Sequence, residues 1–290
     1  MSFKILSDAS CNLSAEMMDE LGIVYKSLNL ISEDGSETKN YLKDKNFSFK
    51  SFYDRLRNKE NIKTSLLNVE EFTVAYKEIL DEGSDVLAII ISSGISGTYQ
   101  AAKIAADDLR EQYPDRKIIV IDSLCASIGH GLMVYYAAMM RNEGKSIDEV
   151  ADFVYKNRLN MVHKFTVDDL FFLKRGGRLS GGVAVIGTIL QIKPVLHVNN
   201  EGKLISLNKV NGRKKSINAL FDSLKDNVTN PENQVMAICH GDCLEDAEYL
   251  ANKIRSEYNP KDIIINYCDP VIAAHAGPGV LALFYMGKER

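Results

Sequence analysis

Residues Asp85–Thr98 read DVLAIIISSGISGT, an apolar run from Val86 to Ile91 followed by three serines, two glycines and a threonine. A short, wholly apolar run is what a strand buried on both faces requires, and such strands belong to parallel sheets covered by helices. The turn after it opens a helix, so the stretch is one β–α unit of an α/β fold. A helix N-terminus has unpaired backbone N–H groups and the positive end of the helix dipole, and it receives anions readily. Ser92, Ser93, Ser96 and Thr98 add hydroxyl donors there, while Gly94 and Gly97 let the backbone approach a ligand closely. A single serine in this position would be an ordinary N-cap. Four hydroxyls and two glycines within seven residues point further, to a site for an anionic head group.

The alternation extends on both sides. Apolar strands are expected at Lys4–Leu6, Ile23–Ile31, Val86–Ile91 and Lys117–Ile121. Amphipathic helices are expected at Ala15–Leu21, Phe49–Asn58, Val69–Asp81, Gly97–Gln112 and Ser127–Arg141. Asn68 with Glu71 three residues on forms a capping box, and Asp34-Gly35 marks a turn. Three strands end in small polar residues, at Ser7-Asp8-Ala9-Ser10, Ser92-Ser93-Gly94 and Asp122-Ser123. Ligands of open α/β sheets bind at the carboxyl ends of strands, so these ends predict one polar edge above the sheet. A helix from Ile147 to about Asn157 leads into a second part, where MVHKFTV, KLISLNKV, QVMAICH and DIIINYC read as strands. Helices there are expected at Lys215–Leu224, Glu245–Glu257 and Val280–Tyr285. The expected architecture is two domains: an N-terminal, largely parallel-sheet α/β domain over residues 1–158 and a smaller α+β domain over 159–290.

Composition narrows the function. A chain of 290 residues with 46% hydrophobic and 26% charged residues is a soluble globular protein with material for a large core. Its net charge of −4 argues against nucleic acid as the main partner, since neutralising phosphates needs a basic excess. No apolar run approaches the roughly 20 residues that span a bilayer, and MSFKILSD runs directly into a short strand without a signal-peptide pattern. A cytoplasmic location is expected. The cysteines, at 11, 125, 239, 243 and 268, are odd in number and scattered, which predicts reduced thiols. Cys239-His240-Gly241-Asp242-Cys243 is a strand-to-helix turn with no second ligand pair at zinc spacing, so no metal is expected.

Two further segments carry chemistry. In Leu173-Lys174-Arg175-Gly176-Gly177-Arg178-Leu179-Ser180-Gly181-Gly182, a helix C-cap explains Lys174 and Gly176 but leaves Arg178 beyond it, free for an anion or a partner. From Asp168 to Lys215 nine Lys/Arg, including Arg175 and Arg213, stand against three acids, giving +6 in a chain of −4. Such a patch suits a phosphorylated substrate, an acidic partner or an anionic membrane surface, unless it is simply a solvated face. In Ala274-His275-Ala276-Gly277-Pro278-Gly279, the imidazole precedes a turn expected to open a helix, where it could donate to an anion. No Walker A loop, GxGxxG, HExxH or GxSxG motif occurs.

The order of motifs resembles the DegV family, bacterial fatty-acid-binding proteins that include the acyl-binding subunits of fatty acid kinase. The family's opening I-x-x-D-S pattern matches Ile5-Leu6-Ser7-Asp8, with Ala9-Ser10 following, and T-S-Q-P matches as Thr64-Ser65, with Leu66-Leu67 in place of Gln-Pro. S-S-x-[LI]-S-G-[TS]-Y matches Ser92–Tyr99, L-K-x-G-G-R-[IL]-S matches Leu173–Ser180, G-x-[LI]-L-x-I-K-P matches Gly187–Pro194, and H-x-G-P-G matches His275–Gly279.

The resemblance implies a binding protein without enzymatic activity of its own, with no cofactor and a long-chain fatty acid such as palmitate buried between two domains. It places carboxylate contacts on Thr64, Ser93 and His275, with Ser92, Ser65 and Ser96 beside them, and puts Arg178 next to the site. Arg175 and Arg213 belong to the face expected to meet a partner. In relatives a separate kinase subunit phosphorylates the bound carboxylate. The basic segment is then a docking face for that kinase, or for a membrane surface where acyl chains are exchanged. The alternative from the residues alone is an α/β enzyme acting on a small phosphorylated or carboxylated metabolite, with the hydroxyl-rich strand ends surrounding a polar substrate.

Overall fold

The computed structural model describes residues 2–39, 41–180 and 191–290. Its first part alternates β1 (Phe3–Asp8), α1 (Ala15–Glu20), β2 (Ile23–Lys26), β3 (Leu30–Ile31), β4 (Glu37–Thr38), α2 (Phe49–Arg57), β5 (Lys63–Thr64) and α3 (Val69–Asp81). It continues with β6 (Asp85–Ile90), α4 (Thr98–Arg110), β7 (Ile118–Asp122), α5 (Ser127–Asn142) and α6 (Ile147–Asn157). Strands β2-β1-β6-β7 form a parallel sheet in that order. Every residue of β6 is buried, as the unbroken apolar run from Val86 requires, and Asp85 at its start accepts the Lys117 N–H at 3.0 Å. The capping box of Asn68 and Glu71 starts α3, and Asp34-Gly35 lies in the turn joining β3 to β4.

The second part holds β8 (Met161–Thr166), α7 (Phe171–Arg175), β9 (Ile192–Val198), β10 (Leu204–Asn211), α8 (Arg213–Asp222), β11 (Val235–His240), α9 (Leu244–Tyr258), β12 (Asp262–Tyr267), α10 (Pro270–Ala276) and β13 (Leu281–Met286). Six of these strands form a mixed sheet in the order β10-β9-β8-β13-β11-β12, in which β11 and β12 are parallel and every other pair antiparallel. Alternate residues of each strand face opposite layers. Met236, Ile238, Leu281 and Leu283 join a core with Leu220, Leu250 and Ile254 of α8 and α9. Ala237, Cys239, Ala282 and Phe284 face the other way, into the core shared with the parallel sheet.

Helix α5 lies between the two sheets, contacting β1 and β6 on one side and β8, β11 and β13 on the other. Close approach is possible because Gly129 and Gly131 lack side chains. A Cβ on Gly129 would stand 2.4 Å from His163 Nε2, and one on Gly131 2.1 Å from the Cys11 carbonyl. His163 completes this seam, accepting from the Ala126 N–H at 3.1 Å through Nε2 while Nδ1 donates to the Met161 carbonyl at 2.9 Å.

Three expectations need correction. Val280–Tyr285 is not a helix: Leu281–Met286 is the strand β13, paired with β8 and β11. A short apolar run buried on both faces has no periodicity to separate strand from helix, and here the two cores on either side decide for strand. The single strand expected over Ile23–Ile31 is two strands in different sheets, β2 beside β1 and β3 between β4 and β5. Strand β9 was not anticipated, and with it the second sheet, six strands against four, is the larger. The Gly181-Gly182 pair, and Gly187–Leu190 of the Gly187–Pro194 motif, lie outside the described residues.

Candidate functional site

The small antiparallel sheet β4-β3-β5 sets the first residue of the site. Thr64 ends β5, in register with Leu30 of β3. Helix α10 sets the second. Asp269 caps it, Pro270 occupies its first turn, and His275 lies in its last turn rather than before a helix start, which corrects the expectation for that turn. Thr64 Oγ1 and His275 Nε2, 211 residues apart in sequence, are hydrogen-bonded at 2.9 Å. Gly176 follows α7 against the other edge of the ring, where a Cβ would come within 2.3 Å of His275 Nδ1. The chain is therefore a glycine where the imidazole passes.

Two cavities meet here. An apolar one of about 600 Å³, its open mouth included, runs between the sheets among Ile95, Phe165, Leu173, Val280, Ala282 and Phe284. A polar cleft lies outside it, lined by Asn61, Lys63, Thr64, Arg175, Arg178 and His275. Arg178 and His275 line both, so they form the neck between oily interior and charged exterior. Among the described residues, the charged ones of the cleft are all cationic and none gives Arg175 Nη2, which is buried, a hydrogen-bond partner. Arg175 also lies over the rings of Phe171 and Phe172. Arg178 is braced through the carbonyls of Ile95 and Gly176.

Burial, reinforced by the charges of Arg178 and Arg175, lowers the His275 pKa to about 4. The imidazole is therefore neutral at pH 7, able to accept or donate one hydrogen bond without competing with the arginines for charge. Its proton signal should titrate near pH 4 rather than near 6.5 in an NMR pH series. Because the unfolded ring protonates first, the neutral histidine contributes stability that is full above pH 6.5 and lost as the pH falls from there toward 4.

The hydroxyls of Ser92, Ser96 and Thr98 have other partners. Ser92 Oγ donates to the Gly202 carbonyl at 2.8 Å and accepts from the Gly94 N–H at 3.1 Å. Ser96 and Thr98 bond each other at 2.9 Å. Ser93 is exposed, with its N–H on Asp122, and Ser65 donates its N–H to the Asn29 carbonyl. Among the described residues lining the two cavities, none is Ser65, Ser92, Ser93 or Ser96. At the other strand ends, Asp8 accepts from Ser10 and from the Ile91 N–H, and Asp122 accepts from Ser93 and Leu124. The buried groups of this edge, Asp8 and Ser92, are thus satisfied within the protein, as buried polar groups require, while the Ser93 hydroxyl faces solvent.

The basic segment is also partly committed. Lys193 pairs with Asp168 at 2.7 Å, Lys203 with Glu201 at 2.7 Å, and Arg213 with Asp246 at 2.8 Å. Arg178 and Arg175 converge on the neck and cleft instead. All five cysteines are free thiols, and Cys239 and Cys268 line the apolar cavity as small soft side chains. No helix among the described residues is long and apolar enough to cross a membrane.

The model of the DegV family, described as "Uncharacterised protein, DegV family", matches residues 2–288. A DegV domain-containing protein of Clostridium perfringens is 43% identical over 288 residues, 99% of this chain and 98% of that one. A DegV lipid-binding protein from Thermotoga maritima, solved as a crystal structure, superposes with a TM-score of 0.86 at 30% identity, covering 100% of each chain. The crystal structure of a fatty-acid-binding DegV family protein from Streptococcus agalactiae gives 0.85 at 29% identity, again over 100% of each.

Proposed function

This chain belongs to the DegV family, and on that premise we propose that it binds a long-chain fatty acid between its two sheets and presents the carboxylate to a separate kinase. The observation that carries this reading is the meeting of an apolar cavity and a cationic cleft at one neck, formed by Arg178 and His275. The names of the solved relatives from Thermotoga maritima and Streptococcus agalactiae, as lipid- and fatty-acid-binding proteins, support it. A palmitoyl tail buries about fourteen methylenes at ~0.8 kcal/mol each, roughly 11 kcal/mol before association costs. Affinity would come from the tail and orientation from the head.

At the neck, Thr64 and neutral His275 would exchange their mutual hydrogen bond for one donor each to the carboxylate, while Arg178 and Arg175 provide positive potential. No tight bidentate arginine pair is needed, so one oxygen stays able to attack a phosphoryl donor in a kinase that covers the cleft, giving an acyl phosphate. Arg178→Glu should therefore reduce kinase-dependent phosphorylation of bound palmitate by at least about tenfold, as a reversed charge at a docking edge acts chiefly on association. The check is a radiolabelled phosphoryl-transfer assay with the kinase subunit, beside a palmitate-binding measurement. Palmitate affinity, to which Arg178 also contributes at the neck, should fall by less, and loss of binding in the same proportion would remove Arg178 from the docking role. The polar cleft alone would also suit a small carboxylate or phosphate metabolite, but that reading has no use for the apolar cavity behind it. Native mass spectrometry of protein purified from cells separates the two: a co-purifying C14–C18 acid supports the carrier, and a polar metabolite supports the enzyme.

A further inference from the structure

We propose that Asp269, with Asn12 and Tyr41, positions His275: these side chains fasten the N-terminal end of α10 across the gap between the sheets, and the Asp269 carboxyl makes that fastening respond to pH. The inference rests on the fatty-acid reading of the head-group site.

The geometry is a buried hub between the two parts of the chain. Asn12, held in the left-handed region at φ 60°, accepts the Asp269 N–H at 2.7 Å and the Ser127 hydroxyl at 3.0 Å on the same oxygen. Its amide donates to the Tyr267 carbonyl at 2.7 Å, and its own carbonyl accepts from Asn266 at 3.0 Å. The Asp269 carboxyl accepts the Val271 N–H at 2.9 Å, capping α10, and the Tyr41 hydroxyl at 2.9 and 3.1 Å. Tyr53 of α2 adds a bond to the Cys268 carbonyl at 2.9 Å. The N-terminal end of the helix is thus tied to the 3₁₀ turn after β1, to α2 and to the segment after β4. Its other end carries His275 to Thr64.

Asp269 is 2% exposed. The titratable groups that face it are acidic or neutral: Asp8 of β1, Cys11 of the following turn, Tyr41, Tyr53 of α2 and its neighbour Cys268. Glu16 and Asp44 line the cavity beside it. The cations Lys63, Arg175 and Arg178 gather at the far end of α10, round His275. Burial, with the Asp8 charge added, pushes the Asp269 carboxyl up to about 7. The folded state therefore holds a proton that the unfolded chain releases near 3.8, so the stability of this joint falls as the pH rises between about 4 and 7. Above 7 the joint holds a buried, ionised carboxylate.

Hydrogen exchange of the α10 amides at pH 5.5 and pH 8, corrected for intrinsic rates, reads the joint without any ligand. Wild-type protection of residues 271–277 should fall about thirtyfold between the two, the equivalent of about one and a half pK units, and change less than about threefold in Asp269→Asn. Tyr41→Phe, which removes the bond favouring the ionised carboxyl, should move the midpoint to higher pH. Equal protection ratios in wild type and Asp269→Asn would overturn the proposal. The second reading is palmitate affinity at the same pH values, where ionisation of palmitate is common to both proteins. The ratio of Kd at pH 8 to Kd at pH 5.5 should be at least about threefold larger in wild type than in Asp269→Asn. Equal ratios would leave the joint as scaffold and refute positioning. If neither protein binds palmitate, the proposed function fails, while the exchange ratio still decides whether Asp269 governs α10.

Discussion

Ala282→Phe is expected to lower palmitate affinity at least about a hundredfold while the protein stays folded. Ala282 sits on β13, opposite Phe165 of β8 and Cys239 of β11, and all three line the apolar cavity. A phenyl ring there would occupy space the acyl chain needs. If half of a palmitoyl tail could no longer be buried, about seven methylenes at ~0.8 kcal/mol each would be lost, more than the hundredfold requires. Overpacking a filled core costs about 1–3 kcal/mol, and here the cavity gives part of the ring somewhere to go. Titration calorimetry checks the effect, with far-ultraviolet circular dichroism as the folding control. Octanoate, whose shorter tail uses less of the cavity, should be affected less than palmitate. An unchanged palmitate affinity would place the tail elsewhere.

Thr64→Val combined with His275→Ala is expected to weaken palmitate binding by about a hundredfold at pH 8. The pair is joined at 2.9 Å at the mouth of the apolar cavity, and on binding each side chain would give up that mutual bond for one to the head group. Hydrogen bonds to a charged group are worth about 1.5–3 kcal/mol each, and Arg178 and Arg175 would soften the loss by remaining as charges. Palmitate methyl ester, which has no anion to satisfy, should bind both proteins alike. Ser93→Ala belongs in the same series. Ser93 is exposed and outside the residues that line the neck, so its replacement should leave affinity unchanged. An effect of Ser93→Ala as large as that of the double variant would move the carboxylate to the β6–α4 turn.

The difference between those two locations shows where sequence reading stops. The run Val86–Ile91 announces a buried parallel strand because burial on both faces demands unbroken apolarity, and β6 has it. The same logic fails at Leu281–Met286, equally apolar and equally short, where only two flanking cores reveal the strand. Local chemistry drew the reading to Ser92–Thr98, since hydroxyls and glycines before a helix look like an anion site. What became of the Ser92 hydroxyl depends on Gly202, 110 residues away, whose carbonyl accepts its hydrogen bond. Arg178 and His275 stood out by their local chemistry and Thr64 entered through the family resemblance, while the convergence of the three is a tertiary fact that no local pattern encodes. One signal was present and unread. Asp269-Pro270 is an N-cap followed by proline in the first turn, which marks the start of α10 and would have put His275 at its end. The cavity walls Phe165, Ala282 and Phe284 read as ordinary strand residues, because a wall facing a cavity and one facing a core have the same sequence.

A crystal structure of the protein with palmitate tests the central claim most directly. The expected result is a carboxylate within hydrogen-bonding distance of Thr64 Oγ1 and His275 Nε2, with the tail running inward past Phe165, Ala282 and Phe284. A head group seated on Ser93 at the β6–α4 turn, or an acyl chain outside the cavity between the sheets, would contradict it.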